Sequence, residues 1–131
     1  MTERTVLLYS DDPEVRERMM LAIGTRPRPD LSIEFVESST YDEVVRLVDD
    51  YEIDLLVLDG EAAPAGGMGI ARQLKDEVKN PPPVCIVIAR AADRWLAAYA
   101  RAEATLMHPM DPVTTAATVA ELLDRKASVS A

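Results

Sequence analysis

The chain has 131 residues, 48% of them hydrophobic and 28% charged, and a formal net charge of −9. This composition excludes a disordered chain and fits one globular domain, expected over residues 1–131 with its core at about 5–124. The acidic balance argues against a direct nucleic-acid partner, because phosphate binding needs clustered Lys and Arg.

Targeting and membrane signals are missing from the sequence, and cysteine is used once. No apolar stretch approaches the roughly 20 residues needed to cross a bilayer, and the N-terminus lacks the basic start and apolar core of a signal peptide. Cys85 lies inside the apolar run 84–88, so a reduced, buried thiol is expected. These features predict a cytoplasmic location without membrane insertion.

In the first half of the chain, short apolar runs alternate with amphipathic stretches. Residues 6–9 form a continuous apolar run, typical of a strand buried on both faces, and an Asp-Pro pair at 12–13 predicts a helix start. Residues 31–36 alternate, which predicts a half-exposed strand at a sheet edge. A capping-box spacing at 40–43 opens a second helix, and residues 53–58 predict a third strand.

The second half repeats the alternation. A loop rich in Gly, Ala and Pro at 60–67 precedes a third helix, which the Pro triplet at 81–83 ends. The remaining elements are a fourth strand at 84–89, a helix at 93–102, a short fifth strand at 104–107 and a last helix that begins at Pro112.

Five strands that alternate with five helices predict an α/β fold with a doubly wound, five-stranded parallel sheet in the order 2-1-3-4-5. In such sheets the functional residues gather at the carboxyl ends of the strands. The residues that follow predicted strand ends are Asp11, Asp12, Asp59, Arg90 and His108.

Three of these residues are acidic and predict a metal site. If the first and third strands are neighbours, the carboxylates of Asp11, Asp12 and Asp59 converge, and like charges so close require a cation. Hard oxygen ligands suit Mg²⁺. Two simpler interpretations stay open at this point: Asp12 caps a helix, and Asp59 makes a turn with Gly60.

From Val6 to about Leu123 the chain resembles the receiver domains of bacterial two-component response regulators. The segments that carry the resemblance are Tyr-Ser-Asp-Asp-Pro at 9–13, Leu-Val-Leu-Asp at 56–59, Pro64 with Gly67, Pro-Val-Cys-Ile-Val-Ile-Ala at 83–89, and His-Pro at 108–109. Their order and spacing are more specific than any one of them.

The resemblance implies a set of roles. Asp59 would be the phosphoacceptor, taking the phosphoryl group of a phosphohistidine on a histidine kinase or phosphotransfer protein. Mg²⁺ would be bound directly by Asp12 and Asp59, mostly through water by Asp11, and by the backbone carbonyl of Glu61. Downstream proteins would bind the face formed by the fourth helix, the fifth strand and the last helix, where Trp95 is either core or surface.

Several positions depart from the family pattern. The Thr or Ser usual after the fourth strand is Ala89, the usual Lys after the fifth strand is His108, and the usual aromatic residue within the fifth strand is Thr105. His108 is shorter than Lys and only partly charged near neutral pH, so it is a candidate replacement or a loop residue without a role. Pro64 stands one position late, which predicts a remodelled loop at 62–67.

Three functions are compatible with these residues. The leading one is a stand-alone receiver in a phosphorelay, not an enzyme beyond self-phosphorylation and dephosphorylation of Asp59. Its rival is a pseudo-receiver, an interaction module that phosphate does not switch. The third is a Mg²⁺-dependent phosphohydrolase, which usually has a second Asp two residues after the nucleophile, where this chain has Glu61.

Overall fold

The computed structural model describes residues 2–62 and 66–130, with the side chains of 126–130 excepted. Within these ranges the strands are Thr2–Tyr9 (β1), Leu31–Ser38 (β2), Leu55–Asp59 (β3), Val84–Ile88 (β4) and Ala104–Met107 (β5). The helices are Pro13–Ile23 (α1), Tyr41–Asp50 (α2), Gly67–Glu77 (α3), Arg94–Tyr99 (α4) and Pro112–Ser130 (α5), with a 3₁₀ turn at Ala91–Asp93 before α4.

The strands form one parallel sheet in the order β2-β1-β3-β4-β5. This arrangement confirms the fold class and the strand order expected from the sequence. It also confirms β2 as an edge strand, which explains why its residues range from buried to exposed where those of β3 and β4 are buried throughout.

The core lies on both faces of the sheet. Successive residues of a strand point to opposite faces, so Leu8 and Val57 pack with α1 and α5 on one side, and Leu7 and Leu58 pack with α2, α3 and α4 on the other. Cys85 belongs to the first cluster and is fully buried, as expected. No helix of the described part of the chain is long and apolar enough to span a membrane.

Several element boundaries differ from the sequence-based expectation, and those of β1, β3 and α4 are among them. Strand β1 begins four residues before the apolar run, because β2 supplies partners to the polar residues 2–5. Strand β3 begins two residues later than expected, at Leu55, and the Asp54 carboxylate before it accepts the Thr5 N–H at 2.8 Å. Helix α4 ends at Tyr99, two residues before Arg101, whose φ of 65° is left-handed and cannot continue a helix.

Candidate functional site at the carboxyl end of the sheet

The register of β1 against β3 brings Ser10 to Asp59. Tyr9 pairs with Leu58, so the next residue of each strand stands beside the other. Ser10 is 0% exposed and Asp59 is 4% exposed. The Ser10 Oγ donates a hydrogen bond to Asp59 Oδ2 at 2.8 Å.

The other oxygen of Asp59 is bonded as well. Asp59 Oδ1 accepts the backbone N–H of Glu61 at 2.9 Å, which closes the turn after β3. A buried carboxylate is costly unless its oxygens are hydrogen-bonded, and both oxygens of Asp59 meet that condition through protein donors. Asp59 therefore does form a turn with the residues after β3, as one of the simpler interpretations proposed. It also lies beside Ser10 at the end of β1.

Asp12 caps helix α1. Its Oδ1 accepts the backbone N–H of Glu14 at 2.9 Å, its backbone is extended, and the side chain is exposed. Its own backbone N–H donates to Ser10 Oγ at 3.1 Å. The capping interpretation of Asp12 is thus confirmed, while direct metal binding by Asp12 stays a prediction.

The pKa of Tyr9 reflects the negative charge around the site. Burial raises the pKa of the Tyr9 hydroxyl, and the negative charges of Asp11 and then Asp59 raise it further. Asp11 is exposed. Both carboxylates therefore act on the same phenol, which places two negative charges at this end of the sheet.

The metal ligands predicted from the sequence do not gather into one group of side chains. Among the residues described, no three His, Cys, Asp or Glu side chains form a group that could hold a metal ion. Metal binding by Asp11, Asp12, Asp59 and the main-chain carbonyl of Glu61 therefore stays a prediction. Mg²⁺ accepts one or two carboxylates and keeps several waters, so oxygen donors of this kind suit Mg²⁺.

Two glycines let the chain pass close to Asp59. A Cβ added to Gly67, the first residue of α3, would lie 2.9 Å from the Asp59 carbonyl oxygen and from Leu58 Cβ, and one added to Gly60 would lie 2.9 Å from the Val87 carbonyl oxygen. These contacts are shorter than real Cβ atoms tolerate. The remodelling predicted around Pro64 lies outside the described residues.

A groove of about 600 Å³ lies beside Asp59, between helix α1 and the residues that follow β4 and β5. Asp59, Ala89 and His108 reach it, and its apolar walls include Val15 and Met110. The backbone N–H of His108 donates to the Ile88 carbonyl at 2.9 Å, which fixes His108 at the end of β4 and β5. The structure therefore brings His108 to the same groove as Asp59.

The remaining candidates lie away from this groove. Arg90 is exposed and pairs with Asp93 at 3.2 Å, within the turn that leads to α4. Trp95 is 67% exposed and Tyr99 is 63% exposed, so Trp95 is a surface residue. The Arg72 guanidinium lies 4.4 Å from the centroid of the Tyr99 ring.

Sequence reasoning missed Ser10. The sequence pointed to Asp11 and Asp12 because carboxylates bind metals. The side chain that contacts Asp59 is instead the hydroxyl of Ser10, which precedes them. The available signal was the register: buried runs at 6–9 and 55–58 that end together place residues 10 and 59 side by side.

A five-stranded doubly wound sheet with an acidic residue at the end of its central strand defines the receiver class of protein. Two solved structures share this fold: the receiver domain of the Francisella response regulator 1452 (TM-score 0.77, 18% identity, covering 93% of this chain and 98% of that one) and the chemotaxis response regulator CheY4 of Vibrio cholerae (TM-score 0.76, 14% identity, covering 92% and 99%).

Closer relatives identify the family. The response regulatory proteins Rv3143 and MT3230 of two Mycobacterium tuberculosis strains are each 49% identical to this chain over 123 residues, which is 93% of this chain and 92% of each relative. No protein-family model matches the chain. At that identity and coverage the chain belongs to the response regulator family, and it carries the receiver domain of two-component signalling.

Proposed function

We propose that this receiver accepts a phosphoryl group on Asp59 and passes the signal on through protein contacts. The observation that carries the proposal is the position of Asp59: a buried carboxylate at the end of β3 that also reaches an open groove. In the reaction an Asp59 oxygen forms a bond to phosphorus as the bond from phosphorus to the donor's histidine nitrogen breaks. The donor is a histidine kinase or phosphotransfer protein.

The residues around Asp59 have distinct parts in this proposal. Glu61 N–H and Ser10 Oγ hold the two carboxylate oxygens in fixed directions. Asp12, Asp59 and the Glu61 carbonyl would hold Mg²⁺, with Asp11 bound mostly through water, and the metal would neutralise the carboxylates and the charge that develops on the phosphoryl group. His108, in the same groove, is placed to contribute positive charge.

A second candidate function is a pseudo-receiver that works through contacts alone. It is favoured by the hydrogen bonds that hold Asp59, since each of its two oxygens already accepts one from the protein. Ala89 also offers a methyl group where the family usually has a hydroxyl, and Thr105 stands where it usually has an aromatic side chain. Under this proposal Asp59 is a structural tie between β1 and β3.

Both candidates need a protein partner, and the face formed by α4, β5 and α5 supports one. Trp95, Tyr99 and Met107 expose apolar surface there, and aromatic residues are enriched at protein interfaces. A cytoplasmic location and the absence of a direct DNA contact belong to the same proposal.

The test is covalent labelling. The protein is treated with acetyl phosphate and Mg²⁺ and its intact mass is measured, beside Asp59→Asn and Asp54→Asn. Asp54 is a second buried carboxylate, at the far end of β3. We expect one phosphoryl adduct on the unmutated protein and on Asp54→Asn, and none on Asp59→Asn. No adduct on the unmutated protein would favour the pseudo-receiver.

A further inference from the structure

Helices α3 and α4 expose aromatic and basic side chains next to one another. Trp95 and Tyr99 are both exposed, and as residues four positions apart they lie on one side of α4. Arg94 precedes Trp95, and the Arg72 guanidinium of α3 lies 4.4 Å from the centroid of the Tyr99 ring, a cation–π contact. We call these four residues the arginine–aromatic surface.

The two arginines of this surface are not neutralised by ion pairs. The neighbouring Arg101 pairs with Asp76 of α3. Among the residues that the structure describes, no carboxylate forms an ion pair with Arg72 or with Arg94. Two positive charges therefore stand beside exposed rings in a protein whose formal net charge is −9.

The charge of the surface favours an acidic partner. A guanidinium binds a carboxylate through two parallel hydrogen bonds, and exposed aromatic rings are typical contact residues of protein interfaces. A symmetric contact between two copies of the chain would set arginine against arginine. A long polyanion such as RNA is opposed by the net negative charge of the whole molecule. A short acidic segment with one apolar side chain fits both the arginines and the rings.

We propose that the arginine–aromatic surface binds an acidic segment of a partner protein, with its carboxylates on Arg72 and Arg94 and an apolar side chain against Trp95 and Tyr99. This inference rests on the proposed function, in which the signal passes on through protein contacts, and adds to it the chemistry of the partner. The surface extends from α4 toward α3, and it is present in the protein without a phosphoryl group.

Tyr51 provides a matched control. It is also an exposed aromatic residue, at the end of α2. Its neighbours in sequence are the exposed carboxylates of Asp49, Asp50 and Glu52, which repel an acidic segment. Tyr51→Ala therefore removes an exposed ring of the same kind from a part of the molecule with the opposite charge.

The experiment begins with random short peptides displayed on phage, which are selected for binding to the full chain without a phosphoryl donor or a metal. We expect the enriched peptides to carry a net negative charge and at least one aromatic or leucine side chain. A synthetic copy of an enriched peptide should change the fluorescence of Trp95, the single tryptophan of the chain, in a saturable way.

The affinity of that peptide is then compared among variants by the anisotropy of a dye attached to it. We expect Arg94→Glu and Trp95→Ala each to weaken binding about tenfold or more. Arg72→Gln removes a charge without reversing it and should weaken binding about threefold. Tyr51→Ala should stay within about twofold of the unmutated protein. All four positions are exposed, and melting temperatures confirm that the variants are folded.

Three results would overturn the inference: no enrichment, enrichment of neutral or basic peptides, or equal affinities for Arg94→Glu and Tyr51→Ala. A uridine oligonucleotide, or vesicles rich in phosphatidylserine, that bind more tightly than the peptides at the same ionic strength would also overturn it. Phosphorylation of Asp59 is tested separately by the intact mass after acetyl phosphate treatment. The failure of one proposal is therefore distinguishable from the failure of the other.

Discussion

The two halves of the site around Asp59 are built differently. On the β1 and β3 side, hydrogen bonds connect Asp59 to Ser10 and Glu61, and Ser10 to Asp12 at the start of α1. On the β4 and β5 side, Ala89 and His108 make no hydrogen-bonded connection to Asp59 and line a groove that Asp59, Glu61 and α1 also border. The first half fixes the carboxylate, and the second half leaves open space where the family usually places groups that contact phosphate.

Under the proposed function, the difference predicts strong coupling to phosphate on the first half and weak coupling on the second. A change at Asp59 Oδ2 is felt directly by Ser10 and, through Asp12, by the first turn of α1. On the other side a methyl group cannot form a hydrogen bond, so Ala89 transmits little to α4. We therefore expect substitutions on the connected half to change stability, and substitutions on the open half to change ligand affinity.

The largest effect on stability is expected at Ser10. Ser10→Ala leaves a buried carboxylate oxygen without its donor, which costs about 1.5–3 kcal/mol for a charged acceptor. Urea unfolding measures the free energy directly. Ala89→Ser, an exposed position on the open half, should stay within about 0.5 kcal/mol; equal losses at both positions would remove the distinction between the halves.

Gly67 tests how closely α3 must approach the connected half. Gly67→Ala forces a Cβ against the Asp59 carbonyl and Leu58, and overpacking of this kind costs about 1–3 kcal/mol. Gly69 in the same helix has no atom within 4 Å of such a Cβ, so Gly69→Ala should stabilise the protein by about 0.5–1 kcal/mol. The same sign for both variants in thermal unfolding would contradict this account.

On the open half, we expect gains in affinity. Ala89→Thr restores a hydroxyl and His108→Lys a fixed positive charge beside Asp59, and each should raise beryllofluoride affinity about tenfold in the presence of Mg²⁺. Calorimetric titration measures the change. If neither variant binds more tightly than the unmutated protein, the groove does not face a phosphate analogue held on Asp59.

Local sequence patterns predict part of this site. Apolar runs mark the buried strands, and an Asp-Pro pair marks the start of a helix. The strand order and the capping role of Asp12 could therefore be predicted. The contact between Ser10 and Asp59 spans 49 positions of sequence. It depends on the register of two strands, which no local pattern specifies.

The same limit applies to boundaries. Residues 2–5 form a strand because β2 pairs with them, although all four are charged or hydroxyl-bearing and none gives an apolar signal. Arg101 ends a helix through its backbone conformation rather than its residue type. Tertiary pairing and backbone strain override local propensity at both places.

A smaller effect is expected in the core behind both halves. Burial raises the pKa of the Cys85 thiol to about 12, so the reactive thiolate is scarce at neutral pH. Labelling by a thiol reagent should be slow in the folded protein and fast in denaturant. Rapid labelling of the native protein would show that the β4 region opens readily.

The smallest effect is expected at the surface pair that joins α5 to the loop before β2. The Arg28 guanidinium holds the pKa of Asp124 below its usual value, through hydrogen bonds of 2.6 and 2.8 Å. A lowered carboxyl pKa contributes stability above the ordinary Asp range, and that contribution is lost as the pH falls through the folded value. The melting temperature of Asp124→Asn should thus be lower than that of the unmutated protein at pH 7, and the difference should shrink as the pH falls below the ordinary Asp value of about 3.9. A difference in melting temperature that stays the same in acid would contradict a stabilising role for the Arg28–Asp124 pair.

The most direct test of Asp59 as the phosphoacceptor is the Glu61 amide. Its N–H is bonded to Asp59 Oδ1, so a group added to the carboxylate must change its environment. In ¹H–¹⁵N spectra we expect the Glu61 resonance to move saturably when beryllofluoride and Mg²⁺ are added together, and not in the Asp59→Asn protein. A Glu61 resonance that stays in place in the unmutated protein would contradict the account and assign Asp59 to structure.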